Sequence, residues 1–233
     1  MRFELYLESG PQHRKTWVFV PGLPGCIARG PTTEAAIENT RAAILDRVDF
    51  LRRHGEPVAD PEPIELVVAD HVIERKWLGF GLQFFASDRA PLTEDDVRTQ
   101  LRWAGWSREE FVAAARTQVI PFASKPAQGG RSGAEIVAHV AGAEWGYVSS
   151  TLGTLPGYGR AIASIERAGL EPWEALAAER EAVLARLRTI TEDARTRVLE
   201  PDGKTPRSAR RMLRRMLEHE WEHTLELRAR LEP

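Results

Sequence analysis

The segment Glu218-His219-Glu220-Trp221-Glu222-His223 sets two of the chain's six histidines four residues apart, with no helix breaker between them. On a helix, positions i and i+4 share one face, a turn apart. Two imidazoles so placed can grip one metal ion. A third histidine, His139, lies far upstream in another stretch that reads as helix. Three nitrogens from two helices leave a coordination position open, as in a working rather than a structural site. Zinc or nickel heads the list of divalent ions for such a set, with iron or manganese as alternatives. The bland alternative is a scatter of unrelated surface or satisfied histidines, since HxxxH alone is a weak pattern.

Neighbouring residues carry two readings each. Glu135 precedes His139 by one turn, and Glu226 follows His223 by nearly one. Either carboxylate could orient an imidazole. Each could equally be a solvated glutamate, and Glu226 has Arg230 four residues on for an ordinary ion pair, which is the preferred reading. Tyr147 either faces the same pocket or is a core aromatic. Gly142, Ala143 and Gly146 share the line of His139. They either leave space above an ion or let two helices pack closely.

The elements that must position these residues follow from periodicity and caps. Residues 3–8, 16–20, 26–29 and 64–68 read as strands. Pro21-Gly22-Leu23-Pro24-Gly25 makes a turn. Thr32 and Thr33 offer an N-cap for a helix to about His54, with Ala36, Thr40, Ala43, Ile44, Val48 and Leu51 on its buried face. Residues 71–86 offer a further strand or two, such as Gln83-Phe84-Phe85. From Pro91 the chain turns helical. Thr93/Asp96, Ser107/Glu110 and Ser132/Glu135 each set a cap oxygen three residues before a carboxylate. They predict helices over 93–104, 107–119 and 132–152. Two more are expected over 172–198 and from after Pro206 to about 231, with a short one around 160–168. In the last helix, Leu213, Met216, Leu217, Thr224, Leu227 and Leu231 define an apolar stripe that His219 and His223 border. The expected fold class is α+β: a small α+β unit over 1–88, then an α-bundle over 90–233.

Two resemblances add to this. Arg131-Ser132-Gly133-Ala134-Glu135-Ile136-Val137-Ala138-His139-Val140-Ala141-Gly142-Ala143-Glu144-Trp145 resembles the second helix of the DinB/YfiT-like family, and the stretch from Ser208 to His223 resembles its fourth. The resemblance implies a DinB-like four-helix bundle whose divalent metal sits on His139, His219 and His223. It also implies a small-molecule substrate, in some relatives with a low-molecular-weight thiol. Arg131 departs from the family pattern, where tryptophan often precedes the serine. Trp17 to Thr40 resembles the HicB-like antitoxin domain: a strand, a Leu-Pro-Gly turn, a second strand, then Gly30-Pro31-Thr32-Thr33-Glu34-Ala35 opening a helix. That resemblance implies a docking, dimerising or substrate-shaping module.

Composition excludes several classes. With 28 arginines against 4 lysines and a net charge of −2, no global field steers the chain to nucleic acid. Arg207, Arg210, Arg211, Arg214 and Arg215 either bind phosphate or form a solvated face with Arg214 paired to Glu218; the second is preferred. The single cysteine, Cys26, allows no intrachain disulfide and is read as packing. His13, His54 and His71 are expected as unpaired surface residues. No apolar run reaches membrane-spanning length, and a cytoplasmic location is expected. The tryptophans 103, 106, 145, 173 and 221 are expected as core or interface anchors. Two functions compete. One is a metal-dependent enzyme of thiol-transferase or hydrolase type. The other is a non-catalytic protein whose two domains mediate assembly, with a homodimer as one form it could take.

Overall fold

The computed structural model describes residues 1–13, 15–73, 83–118, 121–127, 129–154 and 156–230. The chain divides into two compact units, Met1–Ala90 with Glu200–Pro206, and Pro91–Leu199 with Arg207–Pro233. The molecule is α+β.

In the first unit β1 (Arg2–Ser9), β2 (Thr16–Phe19), β3 (Ile27–Gly30) and β4 (Glu65–Ile73) form one sheet in the order β3-β2-β1-β4. β1 to β3 pair antiparallel through tight connections, and β4 joins β1 in parallel. A parallel pair requires a crossover, and α1 (Thr33–Arg53) supplies it. Thr32 caps α1 by accepting from the Ala35 N–H. Ala36, Ile44, Val48 and Leu51 are buried where α1 packs on β2 and β3. Gly30 is required at the entry to α1, because a Cβ there would lie 2.4 Å from the Ala36 nitrogen. Gly25, at φ +90°, closes the turn before β3.

Three expectations change here. Gln83, Phe84 and Phe85 are not a strand, and the rest of the expected pairing, 74–82, lies outside the described residues. Side chains rather than a neighbouring strand take their backbone donors: Gln83 N–H donates to Glu8 and Phe85 N–H to Asp88. Next, His13 and His71 are not isolated. Their rings meet edge to face at 5.3 Å, and His71 Nε2 sits 2.7 Å from Ser9 Oγ. Finally, α1 buries Arg47 completely, a position the apolar spacing did not mark.

The second unit is helical. Its long helices among the described residues are α2 (Glu94–Arg116), α3 (Gly133–Leu152), α5 (Pro172–Leu187) and α7 (Ala209–Arg228). α2 and α3 each pack against both α5 and α7. The short α4 (Tyr158–Arg167) lies on α5. α6 (Glu192–Thr196) precedes a two-residue ladder of β5 (Val198–Leu199) with β6 (Arg207–Ser208). Two predicted boundaries fail. Helices expected over 93–104 and 107–119 are one helix, α2. Its buried positions Val97, Leu101, Ala104, Arg108, Phe111 and Ala115 run on at three- and four-residue steps through Ser107, which is interior rather than a cap. The helix expected over 172–198 stops at Leu187. Thr191 caps a separate helix by accepting from the Ala194 N–H.

Candidate metal centre

α3 and α7 carry the three histidines. Each begins at a serine cap. Ser132 accepts from the Glu135 N–H, and Glu135 accepts in return from the Ser132 N–H. Ser208 accepts from the Arg211 N–H. The two helices run antiparallel: His139 meets His219, Tyr147 meets Arg215, and the Ser150 carbonyl accepts from Arg207.

His139 Nε2 and His219 Nε2 lie 3.1 Å apart. One donor nitrogen from each of His139, His219 and His223 falls within 4.8 Å of the others. The three rings meet pairwise edge to face, with centroids 4.7 to 5.1 Å apart. The 3.1 Å separation is close to the roughly 3.3 Å edge of a tetrahedron with metal–nitrogen arms of about 2.0–2.1 Å. Both histidines of α7 are buried, although the apolar stripe placed them only at the border of the core; His139 is partly exposed.

For His139 and His219 the electrostatics favour the neutral ring, the form that binds metal. Burial lowers the His139 pKa, helped by the charge of Arg131 and by His223. Burial, with Arg215 next, brings His219 down to about 2. His223 Nδ1 lies 2.7 Å from Glu226 Oε2, which leaves its Nε2 free to ligate. The hydrogen bond from His223, more than any other contact, holds the Glu226 carboxyl below its usual value, although burial opposes it. Glu226 also receives Arg230 through its other oxygen, so one carboxylate contacts both the imidazole and the arginine.

Glu135 is differently employed. Its oxygens go to the Ser132 N–H and to Lys125 at 3.1 Å, so it serves the helix cap and not the His139 ring. Tyr147 stands beside the trio, its ring 5.9 Å from that of His219, and its hydroxyl lies 3.4 Å from Arg215 Nη2. Among the described residues, a Cβ added at Gly142 or Gly146 would meet nothing within 4 Å, so these glycines border open space and do not admit a packed helix. Arg214 and Arg215 are buried, which overturns the solvated face expected for them. Both reach Glu218, at 2.8 and 2.9 Å.

The expected apolar stripes left out a second buried group. Arg108 of α2, Glu144 of α3, Arg180 of α5 and Glu220 of α7 form a closed quartet, and each is at most 6 % exposed. Each arginine donates to both glutamates, at 2.5 to 2.8 Å. Arg108 and Arg180 also donate to the carbonyls of Leu176 and Ala104. A weaker signal did exist: Glu144 stands four residues after Val140 and four before Val148, on the buried stripe of α3.

A helical unit that gathers three imidazoles beside open space defines a domain able to hold a divalent ion. The family model described as the DinB superfamily matches residues 68–227, and the chain belongs to that superfamily. No curated protein and no solved structure matches the chain. Among the described residues, no helix is long and apolar enough to cross a membrane.

Proposed function

We propose that the protein is a divalent-metal enzyme acting on small molecules, of thiol S-transferase or hydrolase type, with His139, His219 and His223 as its ligands. The observation that carries this is the convergence of three imidazole nitrogens within 4.8 Å, two of them on rings whose pKa is depressed. When bound, an ion such as zinc or nickel lowers the pKa of a coordinated water toward about 7 or holds a thiolate as nucleophile. The chain's own residues do the rest. Glu226 fixes the tautomer and orientation of His223. Tyr147 offers a phenol beside His219, with Arg215 on its oxygen. Gly142 and Gly146 leave room for a substrate. The mutual packing of α2, α3, α5 and α7 supports a four-helix bundle as the scaffold.

The first unit supports a second reading. Its turn between β2 and β3, the close approach at Gly30 and the Thr32 cap fit a HicB-like domain, for which docking or dimerisation is the proposed role. On that reading the protein mediates assembly, and an ion only stabilises it.

Elemental analysis of the purified protein separates the two. The enzymatic reading expects a stoichiometric divalent ion that disappears in His139→Ala, His219→Ala and His223→Ala. It also expects turnover with low-molecular-weight thiols and electrophiles, or with small amides, that chelation abolishes. A protein that binds no ion, or whose ion survives all three substitutions, overturns it.

A further inference from the structure

We infer that the Arg108–Glu144–Arg180–Glu220 quartet is a register clamp that holds α3 and α7 at the offset where His139 meets His219 and His223. As a statement about metal affinity this rests on the proposed function; as a statement about helix register it does not.

The quartet takes one residue from each of α2, α3, α5 and α7. Glu144 and Glu220 carry like charges and sit on the two helices that bear the histidines. Both guanidiniums bridge them. Arg108 spans Glu220 at 2.5 Å and Glu144 at 2.7 Å. Arg180 spans Glu144 at 2.8 Å and Glu220 at 2.7 Å. The planar guanidinium fork makes such bridges directional as well as strong. The bridges fix the height of Glu144 relative to Glu220, and the helices transmit that height to the ligands. Glu144 is five residues beyond His139, about 7.5 Å along α3, and Glu220 is one residue, about 1.5 Å, beyond His219. An axial slide equal to the rise of one residue would move one set of imidazoles by about 1.5 Å, a large part of the 3.1 Å between His139 Nε2 and His219 Nε2.

Apolar packing would set this offset loosely. The cores around the quartet consist of side chains such as Leu101, Val148 and Met216 on one side, and Ile136, Val140 and Leu176 on the other. Packed apolar helices can slide past one another by small shear displacements. Four buried charges resist this, since a shifted helix leaves a desolvated carboxylate or guanidinium unmatched. The match is tight already: both arginines converge on the Oε2 atoms, and Glu220 Oε1 is buried with no hydrogen-bond partner among the described residues. Burying ion pairs is a poor route to stability, because well-packed apolar replacements are often neutral or stabilising. Definition of register is what the quartet adds.

The test is the full chain with Arg108→Met, Glu144→Leu, Arg180→Met and Glu220→Leu combined. Circular dichroism gives the melting temperature. Competition with a chromophoric chelator gives zinc affinity. In metal-free protein, nuclear Overhauser effects report the approach of the His139 and His219 rings. The expected result is a folded protein melting at or above the parent's temperature, with zinc binding at least tenfold weaker and no Overhauser effect between the two rings. Parental affinity together with a parental Overhauser effect overturns the clamp. If the quadruple variant does not fold, Arg180→Lys decides, because it keeps the charge and removes the fork. Weaker zinc binding and separated rings support the clamp, and parental values of both refute it. A parent that binds no zinc, with a ring approach that still depends on the quartet, supports the clamp and defeats the metal reading instead.

Discussion

Replacing Glu226 with alanine separates its two contacts. Its Oε2 lies 2.7 Å from His223 Nδ1, and its Oε1 lies 2.7 Å from Arg230 Nη2. If the first contact serves the metal, removing it frees the His223 ring to rotate and to adopt the wrong tautomer. Removal of such an outer partner costs about 10- to 100-fold in metal affinity, or about 1.4–2.7 kcal/mol. The fold loses much less. The Glu226 side chain is 30 % exposed, and a partly exposed ion pair is worth about 0.2–1 kcal/mol. For a chain of this length that is a fall of no more than about 4 °C in Tm. The control is Arg230→Ala, which removes the ion pair and leaves the imidazole its acceptor; zinc affinity should stay close to the parent's. Chelator competition and thermal melts on all three proteins give the comparison. If Glu226→Ala binds zinc like the parent, or if Arg230→Ala weakens binding as much, the carboxylate–imidazole contact does not tune the site and the reasoning fails.

Other expectations follow from single contacts. Burial pushes the Glu144 carboxyl up, but Arg180 and Arg108 outweigh it and hold it below the ordinary value of 4.5. Its charge therefore stabilises the fold fully above its ordinary pKa and progressively less as pH falls through the folded value. Glu144→Gln should cost about 3 kcal/mol at neutral pH, and the gap to the parent should narrow on acidification through the carboxylate range; denaturant melts showing a constant gap would refute this. Gly146→Ala should raise Tm by about 1–4 °C, since alanine in a helix gains about 0.5–1 kcal/mol over glycine and its methyl meets nothing within 4 Å among the described residues; a drop in Tm would show that the space is not free. Ser132→Ala removes the cap of α3 and should cost about 1 kcal/mol in denaturant melts, with no change meaning that packing alone sets the start of the helix.

Much of the helical unit was legible because its signals are local. The Thr93 and Ser132 boxes each close with their own residues within one turn, and HxxxH fixes its own geometry once the helix forms. Long-range competition is where local signals fail. Ser107 and Glu110 spell a cap as well as Ser132 and Glu135 do, yet the buried stripe of α2 runs through them and packing decides. Gln83 to Phe85 has strand composition, but the acceptors for its N–H groups are the carboxylates of Glu8 and Asp88, one of them distant in sequence. Glu135 stands one turn from His139, and spacing alone could not tell that Lys125 and the cap would claim it.

The charges of α7 misled for a different reason. Residues 214 to 223 contain two arginines, three glutamates and two histidines, which reads as a helix facing water on most sides. Successive residues of a helix point about 100° apart, so neighbours in this run serve different partners. Glu218 meets Arg214 and Arg215 on its own helix, His219 meets His139 of α3, and Glu220 meets Arg108 of α2 and Arg180 of α5. With these charges matched, the helix can be buried almost all round despite its composition. Hydrophobic periodicity identifies a core-facing stripe only where burial is apolar. Here the compensation lies between helices, and the partners of Glu220 stand 112 and 40 residues upstream of it. No local pattern can pair residues so far apart. What a single sequence does offer is a charged residue occupying a stripe position, as at Arg108 between Ala104 and Phe111 and at Glu144 between Val140 and Val148. A charge there must find an opposite charge in the core or be excluded from it, so two arginines and two glutamates on the buried stripes of four helices already imply one another.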